Sequence, residues 1–186
     1  PAQRSGRRTH KIHKTAYIRR NLLVAAFRPA PIRLKTKLYL LRKRAPAATS
    51  VNRVALECAR VHAAAAKRKS LNVYVAVPRS LRVKMDADHL AQALGHLLDN
   101  AVKFTPPGGW IRIGARVLKR EAHVFVEDSG IGIPSTFLPR VFDRFFRVMK
   151  GAQPGSPGVG LHLVKKLVEA YGGSVSVRSR LARGST

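Results

Sequence analysis

Residues 97–105 read Leu-Leu-Asp-Asn-Ala-Val-Lys-Phe-Thr and lie in a helix that the sequence predicts from Asp88 onward. The Asp88 carboxylate suits the N-cap of this helix, because it accepts hydrogen bonds from the first backbone N–H groups. Asn100 and Lys103 are three residues apart and therefore share a face. An amide beside an ammonium suits a magnesium ion with a phosphate, although a solvated helix face has the same pattern. The predicted core residues of this helix are Leu90, Ala93, Leu94, Leu97, Leu98, Ala101 and Val102.

A second informative stretch is residues 126–134, Val-Glu-Asp-Ser-Gly-Ile-Gly-Ile-Pro. Asp128 ends a predicted strand, and Gly130 and Gly132 follow at once. Glycine lets the backbone approach a ligand closely, and a buried carboxylate accepts a hydrogen bond from an exocyclic amine such as that of adenine. A strand that ends in an ordinary tight turn gives the same pattern, so this stretch alone leaves both interpretations open.

The third stretch is residues 155–163, Gly-Ser-Pro-Gly-Val-Gly-Leu-His-Leu, which immediately precedes a predicted helix ending at Tyr171. A glycine-rich loop that presents backbone N–H groups at a helix N-terminus suits the phosphates of a nucleotide. A flexible surface loop is an equally good explanation when this stretch is taken alone.

The remaining sequence alternates between helical and strand patterns. Apolar residues at three- and four-residue steps predict a first helix, whose stripe is Val51, Val54, Ala55, Cys58, Val61 and Ala65. Strands are predicted at Leu71–Val77, Arg82–Met85, Trp110–Val117, His123–Glu127 and Ser174–Ser179, and further helices at Leu138–Phe146 and Val159–Tyr171. This order predicts an α/β fold, a two-layer sandwich with a mixed β-sheet and about three helices on one face.

The length of 186 residues fits one sizeable domain with an extension. Residues 1–50 hold 14 of the 36 basic residues and no acidic residue, and we interpret them as a basic extension ending in a linker before a domain at 51–186. Apolar stretches such as Asn21–Phe27 are far shorter than the roughly 20 residues that cross a bilayer, so no transmembrane helix is expected. The single cysteine, Cys58, excludes an internal disulfide and fits a reducing cytoplasm.

In this order, the three stretches resemble the N box and the two glycine boxes of the ATP-binding catalytic domain of sensor histidine kinases. Residues 142–147, Phe-Asp-Arg-Phe-Phe-Arg, resemble the F box of the same family. The resemblance covers 51–186 and implies a Bergerat (GHKL) ATPase fold. It also implies a protein histidine kinase, a phosphotransferase that uses ATP and Mg²⁺.

The resemblance further implies roles for individual residues. Asn100 would coordinate Mg²⁺ and Lys103 would contact phosphate, which makes both catalytic, while Phe104 would lie beside the adenine. Asp128 would bind the adenine amino group. The other implied ATP-binding residues are Gly130 and Gly132, which would shape the adenine pocket, and Gly158, Gly160 and Leu161, which would close over the phosphates. Residues 147–156 would form a mobile lid.

The implied partners are a separate dimerisation domain, whose histidine accepts the γ-phosphoryl group, and a response regulator. The full-length protein would be a homodimer. This part of it would lie in the cytoplasm, whether or not the full-length kinase is anchored in a membrane.

Three features depart from the family pattern. His96 stands where the family usually has a second Asn, four residues before Asn100, and either an ordinary helix histidine or a role in the site fits it. Neither His10 nor His13 has the acidic neighbour of a phosphoacceptor, so none is found, and 34–43 is at most the end of a dimerisation helix. The family also continues beyond a Gly-Ser-Thr such as 184–186 into a final strand, which we expect to be missing.

Two alternatives belong to other classes. The net charge of +27 suits a basic polyanion-binding module with a vestigial ATP site, since the basic extension would attract nucleic acid or an anionic membrane. Only 6% of the residues are aromatic and no nucleic-acid motif is recognised, so this ranks second. Hydrolysis of the topoisomerase or Hsp90 type is not expected, because those ATPases usually place a glutamate where this chain has His96.

Overall fold

The computed structural model describes residues 48–119, 121–148 and 158–186. The chain divides between Lys43 and Arg44 into two units, and all of the described residues belong to the second. The predictions for residues 1–47, and for the lid beyond Val148, therefore lie outside the described residues. The domain boundary at residue 51 stays a prediction.

The described residues form three α-helices, one 3₁₀ helix and seven strands. In chain order these are β1 Thr49–Ser50, α1 Val51–Arg68, β2 Asn72–Ala76, β3 Arg82–Val83, α2 Ala87–Phe104, β4 Trp110–Leu118, β5 Glu121–Asp128, the 3₁₀ helix Ser135–Arg140, α3 Gly160–Ala170, β6 Ser179–Arg180 and β7 Gly184–Ser185.

The main sheet has five strands in the order β2, β4, β5, β7, β6. Strand β2 runs parallel to β4, and the other neighbouring pairs are antiparallel. A separate antiparallel pair joins β1 to β3. The sheet is therefore mixed, which confirms the predicted α/β class.

One face of the sheet is buried under the helices, because apolar side chains alternate with polar ones along the strands. Ile111 and Ile113 on β4 are fully buried, as is Leu98 on α2, and Val126 on β5 is nearly so. Helices α1 and α2 pack together over this face, and α3 packs against α2. Within the described ranges no helix is both long and apolar enough to cross a membrane.

Helix α1 buries a slightly different stripe from the predicted one. Val61 is 69% exposed, so its assignment to the core is wrong. The next position after Cys58 on the buried side is His62, four residues later, because a helix turns once every 3.6 residues. The buried residues of α1 are Val51, Val54, Ala55, Cys58 and Ala66.

Helix α2 begins one residue earlier than predicted. Its N-cap is Asp86, whose carboxylate accepts hydrogen bonds from the backbone N–H groups of Asp88 at 2.9 Å and His89 at 3.3 Å. The assignment of Asp88 as N-cap is therefore wrong. Asp88 lies in the first turn instead, where its negative charge complements the helix dipole.

Two further elements differ from their predictions. The helix predicted at 138–146 is a 3₁₀ helix at 135–140, because Pro139 has no N–H to continue an α-helix and Phe145 takes a positive φ of 64°. The strand predicted at 174–179 is hydrogen-bonded only from Arg178 onward, because its partner β7 contains just two residues.

Candidate nucleotide-binding site

The end of helix α2 is in direct contact with the first glycine stretch. The Ile131 N–H donates to the carbonyl oxygen of Phe104 at 3.1 Å, and the Gly130 N–H donates to Asp128 Oδ1 at 2.8 Å. A Cβ at Gly130 would lie 2.6 Å from Asp128 Oδ1 and 2.8 Å from the Phe104 carbonyl oxygen, so only glycine fits there. The structure thus brings Phe104, Asp128 and Gly130 together.

Asp128 ends β5 and is half-buried. Burial raises the pKa of its carboxyl, whereas the backbone N–H groups of Gly130 and Ser185 act in the opposite direction, and nearby Glu127 adds to the rise. Within the described part of the chain no basic side chain forms an ion pair with this carboxylate. A carboxylate placed in this way is available to accept a hydrogen bond from a ligand.

Asn100 and Lys103 are half-buried on α2, within the turn and a half before Thr105 ends the helix. The Lys103 Nζ lies 5.3 Å from the centre of the Phe104 ring, a cation–π distance. Neither side chain makes a hydrogen bond or an ion pair with another residue of the described ranges. Both polar groups are therefore available to a ligand.

The second glycine stretch is described from Gly158 onward. Gly158 has a φ of 69°, and its carbonyl oxygen accepts from the Phe145 N–H at 2.9 Å. Helix α3 follows with no side-chain cap at Val159 and no acidic residue in its first turn, so its first backbone N–H groups are available to an anion. Leu161 is half-buried in that turn, and the Cβ position of Gly160 lies 3.6 Å from His96 Nδ1 on α2.

Gly132 is placed differently from the other predicted glycines. It has a φ of 68°, and a Cβ there would overlap the backbone carbonyl of Arg180 at the end of β6. The neighbouring Ile131 carbonyl accepts from the Ala182 N–H at 2.7 Å. The need for glycine at this position comes from the close approach of the β6 turn, and a role in the adenine pocket stays a prediction.

Sequence reasoning missed Lys69, which holds the end of α2 in place. Its Nζ donates to the carbonyl oxygens of Val102 at 2.7 Å and Lys103 at 3.1 Å. The last carbonyls of a helix lack intrahelical partners and carry partial negative charge, so a cation stabilises them. Because this cation comes from a position more than 30 residues earlier, no local pattern marks it.

We expect Lys69→Met to lower the free energy of unfolding by about 1–2 kcal/mol, because two charge-assisted hydrogen bonds are lost while most of the side-chain volume is kept. Urea denaturation at neutral pH measures the change. Lys67→Met is the matched control, because Lys67 is an exposed basic residue of the same turn. Equal losses in the two variants would contradict this role for Lys69.

Sequence reasoning also missed an arginine cluster beside the second glycine stretch. A shallow cleft of about 390 Å³ is lined by Arg140, Arg144, Phe145, Phe146 and Arg147. The Arg140 guanidinium lies 4.6 Å from the centre of the Phe146 ring, and that of Arg144 lies 4.6 Å from the Phe145 ring. The Phe145 N–H donates to the Gly158 carbonyl oxygen, so this cluster adds positive charge close to Gly158.

Comparison with known proteins identifies the family. The model of the histidine kinase-, DNA gyrase B- and HSP90-like ATPase family matches residues 85–186, which is more than half of the chain. This chain belongs to that family. The match includes all three stretches that carry the resemblance, from α2 to the end of the described residues.

Relatives of this ATPase domain include sensor proteins and sensor histidine kinases. The sensor protein DivL of Caulobacter vibrioides is 43% identical over 104 residues, which are 56% of this chain and 13% of DivL. The sensor histidine kinase WalK of Bacillus subtilis is 38% identical over 112 residues, which are 58% of this chain and 18% of WalK. The chain therefore spans less than a fifth of the length of either relative.

Solved structures agree with this assignment. A mycobacterial sensor histidine kinase, MprB, superposes with a TM-score of 0.66 at 27% identity over 75% of this chain and 93% of that chain. Full-length ShkA in complex with AMPPNP has a TM-score of 0.63 at 28% identity over 75% of this chain and 29% of that chain. The resemblance to the ATPase catalytic domain of sensor histidine kinases is confirmed, and the polyanion-binding alternative is not favoured.

Proposed function

We propose that this ATPase domain binds ATP and serves as the catalytic part of a sensor histidine kinase that transfers the γ-phosphoryl group to a histidine. The observation that carries the proposal is the junction of α2 with the first glycine stretch. There the Ile131 N–H donates to the Phe104 carbonyl oxygen, and the Gly130 N–H donates to Asp128 Oδ1.

Each part of the nucleotide has a suitable partner. Asp128 is half-buried and accepts a hydrogen bond from the adenine amino group. Phe104 is 39% exposed, and its ring lies beside the base. The uncapped N-terminus of α3 and the Lys103 ammonium suit the phosphates. The structure of ShkA with AMPPNP, an ATP analogue, supports nucleotide binding by this fold.

The donor groups fit a magnesium ion that is bound together with the nucleotide. No group of three or more His, Cys, Asp or Glu within the described ranges is suited to hold a metal ion alone. Mg²⁺ is typically held by one or two protein oxygens plus substrate phosphates, and the Asn100 amide oxygen is available for this purpose. The ion would supply charge neutralisation at the phosphates.

The proposed partners of this domain are a histidine-bearing dimerisation domain and a response regulator. The γ-phosphoryl group passes to a histidine on a separate dimerisation domain of a homodimeric protein, and from there to a response regulator in two-component signalling. We place this reaction in the cytoplasm. Asn100 and Lys103 are the catalytic residues, because phosphoryl transfer depends mainly on positioning and on charge neutralisation.

Calorimetric titration of ATP into the chain, with and without Mg²⁺, tests nucleotide binding. We expect saturable binding by the wild type that Mg²⁺ strengthens, and binding by Asn100→Ala that no longer responds to Mg²⁺. Asn72→Ala is the control, because Asn72 is an exposed residue at the start of β2. Absence of binding by folded wild-type protein would contradict the proposal, as would a normal Mg²⁺ response of Asn100→Ala.

A further inference from the structure

His96 is the one histidine in the described residues whose ring has no hydrogen-bond or ion-pair partner. Its Nε2 atom is buried and unpaired. The other four described histidines have partners: Cys58 and Asp99 for His62, Tyr171 for His89, Glu121 for His123 and Phe142 for His162. A buried polar atom without a partner costs roughly 1–3 kcal/mol, so this atom requires an explanation.

The position of His96 points to a ligand as that explanation. Its Nδ1 side faces Gly160 at the uncapped N-terminus of α3, with 3.6 Å between Nδ1 and the Cβ position of that glycine. Asn100 follows four residues later on the same face of α2, and its amide is available to a ligand. His96 is therefore a neighbour both of the group proposed to bind a metal ion and of the helix end proposed to bind phosphate.

A neutral imidazole nitrogen offers a lone pair to a cation, and its metal preference differs from that of an amide oxygen. Mg²⁺ favours oxygen ligands and retains its waters, whereas imidazole binds first-row transition ions more strongly than Mg²⁺. The family usually presents a second asparagine at this position, so His96 replaces an oxygen donor with a nitrogen donor.

We infer that His96 is a metal-binding and specificity-determining residue, which makes the ATP site favour a divalent transition ion such as Mn²⁺ over Mg²⁺. The inference rests on the proposed ATP-binding function. Coordination of the ion by the imidazole gives the ring the partner that it lacks and adds a ligand one helical turn from Asn100. The alternative of an ordinary helix histidine requires a partner for the ring, and the described residues provide none.

The first test compares the affinity for AMP-PNP in the presence of Mg²⁺ and of Mn²⁺. We expect the ratio of the two dissociation constants to favour Mn²⁺ at least about 10-fold more in the wild type than in His96→Asn, which restores an amide oxygen. His123→Asn is the matched control, because His123 is exposed on β5 and lies outside the site. An unchanged ratio in His96→Asn would overturn the inference.

The second test detects the bond directly. Pulsed electron paramagnetic resonance of the Mn²⁺ and AMP-PNP complex is expected to show coupling to an imidazole nitrogen in the wild type and in His123→Asn, and none in His96→Asn. Saturable binding of the complex without this coupling overturns the role of His96 and leaves the proposed function intact. Absence of AMP-PNP binding with either ion overturns the proposed function itself, and the role of His96 with it.

Discussion

Asp128→Asn is expected to weaken ATP binding by about 10- to 100-fold, because a charge-assisted hydrogen bond contributes about 1.5–3 kcal/mol. The asparagine oxygen keeps the Gly130 N–H bond, so its NH₂ group takes the position of the remaining carboxylate oxygen. That arrangement places a donor against the adenine amino group, which is also a donor. Calorimetric titration with ATP and Mg²⁺ measures the loss.

The matched control is Asp99→Asn, which removes the same charge from the neighbourhood of Asn100. Asp99 is 70% exposed, and its one described partner is His62 on α1. We expect its affinity for ATP to stay within about twofold of the wild type, because exposed charges are well screened. A comparable loss of affinity in both variants would show that net charge, and not the Asp128 carboxylate, determines binding.

The stability of Asp128→Asn separates loss of the site from loss of the fold. Burial raises the pKa of Asp128 above its ordinary value of 3.8, so the folded state binds this proton more strongly than the unfolded state does. The contribution of this group to stability is therefore fully present below pH 3.8 and is lost as the pH rises through the higher pKa of the folded state. We expect thermal unfolding of Asp128→Asn to occur at or above the wild-type temperature at pH 7, and its advantage to shrink at acidic pH.

Local sequence is sufficient to predict several parts of this domain. The helix around Asn100 has strong apolar periodicity, and the hairpin of β4 and β5 has clear alternation, so both elements lie close to their predicted bounds. Each candidate site residue lies in one of three short stretches rich in glycine or polar residues. The contact between Phe104 and the Asp128 turn agrees with the predicted grouping, whereas the roles of these residues toward ATP stay predictions.

Contacts between distant segments are what sequence does not reveal. Lys69, the residue after α1, donates to the end of α2, and the approach of β6 to Gly132 depends on packing that only the folded chain defines. The unpaired nitrogen of His96 is likewise visible only once α3 is packed on α2. The errors at Asp88 and Val61 have a local cause, since two residues close in sequence compete for one N-cap or for one helix face.

Strand β7 connects the stability of the sheet to the site. Gly184 has a φ of 95°, and a Cβ there would overlap the carbonyl oxygen of Asp128 and lie 3.1 Å from Ser129 Cα. Gly184→Ala is expected to lower the free energy of unfolding by about 3 kcal/mol, from the cost of a positive φ and from the backbone clash. Because the clash displaces Asp128, affinity for ATP falls as well.

Gly172→Ala separates the two costs of the Gly184 substitution. Gly172 also has a positive φ, of 74°, but no atom lies within 4 Å of its Cβ position. This variant bears the conformational cost alone, about 1–2 kcal/mol, and is expected to bind ATP normally. Urea denaturation and ATP titration of both variants measure the difference. Equal destabilisation of the two variants would mean that β7 moves away from Asp128 at no energetic cost. In that case the contact with Gly184 does not hold Asp128 in position.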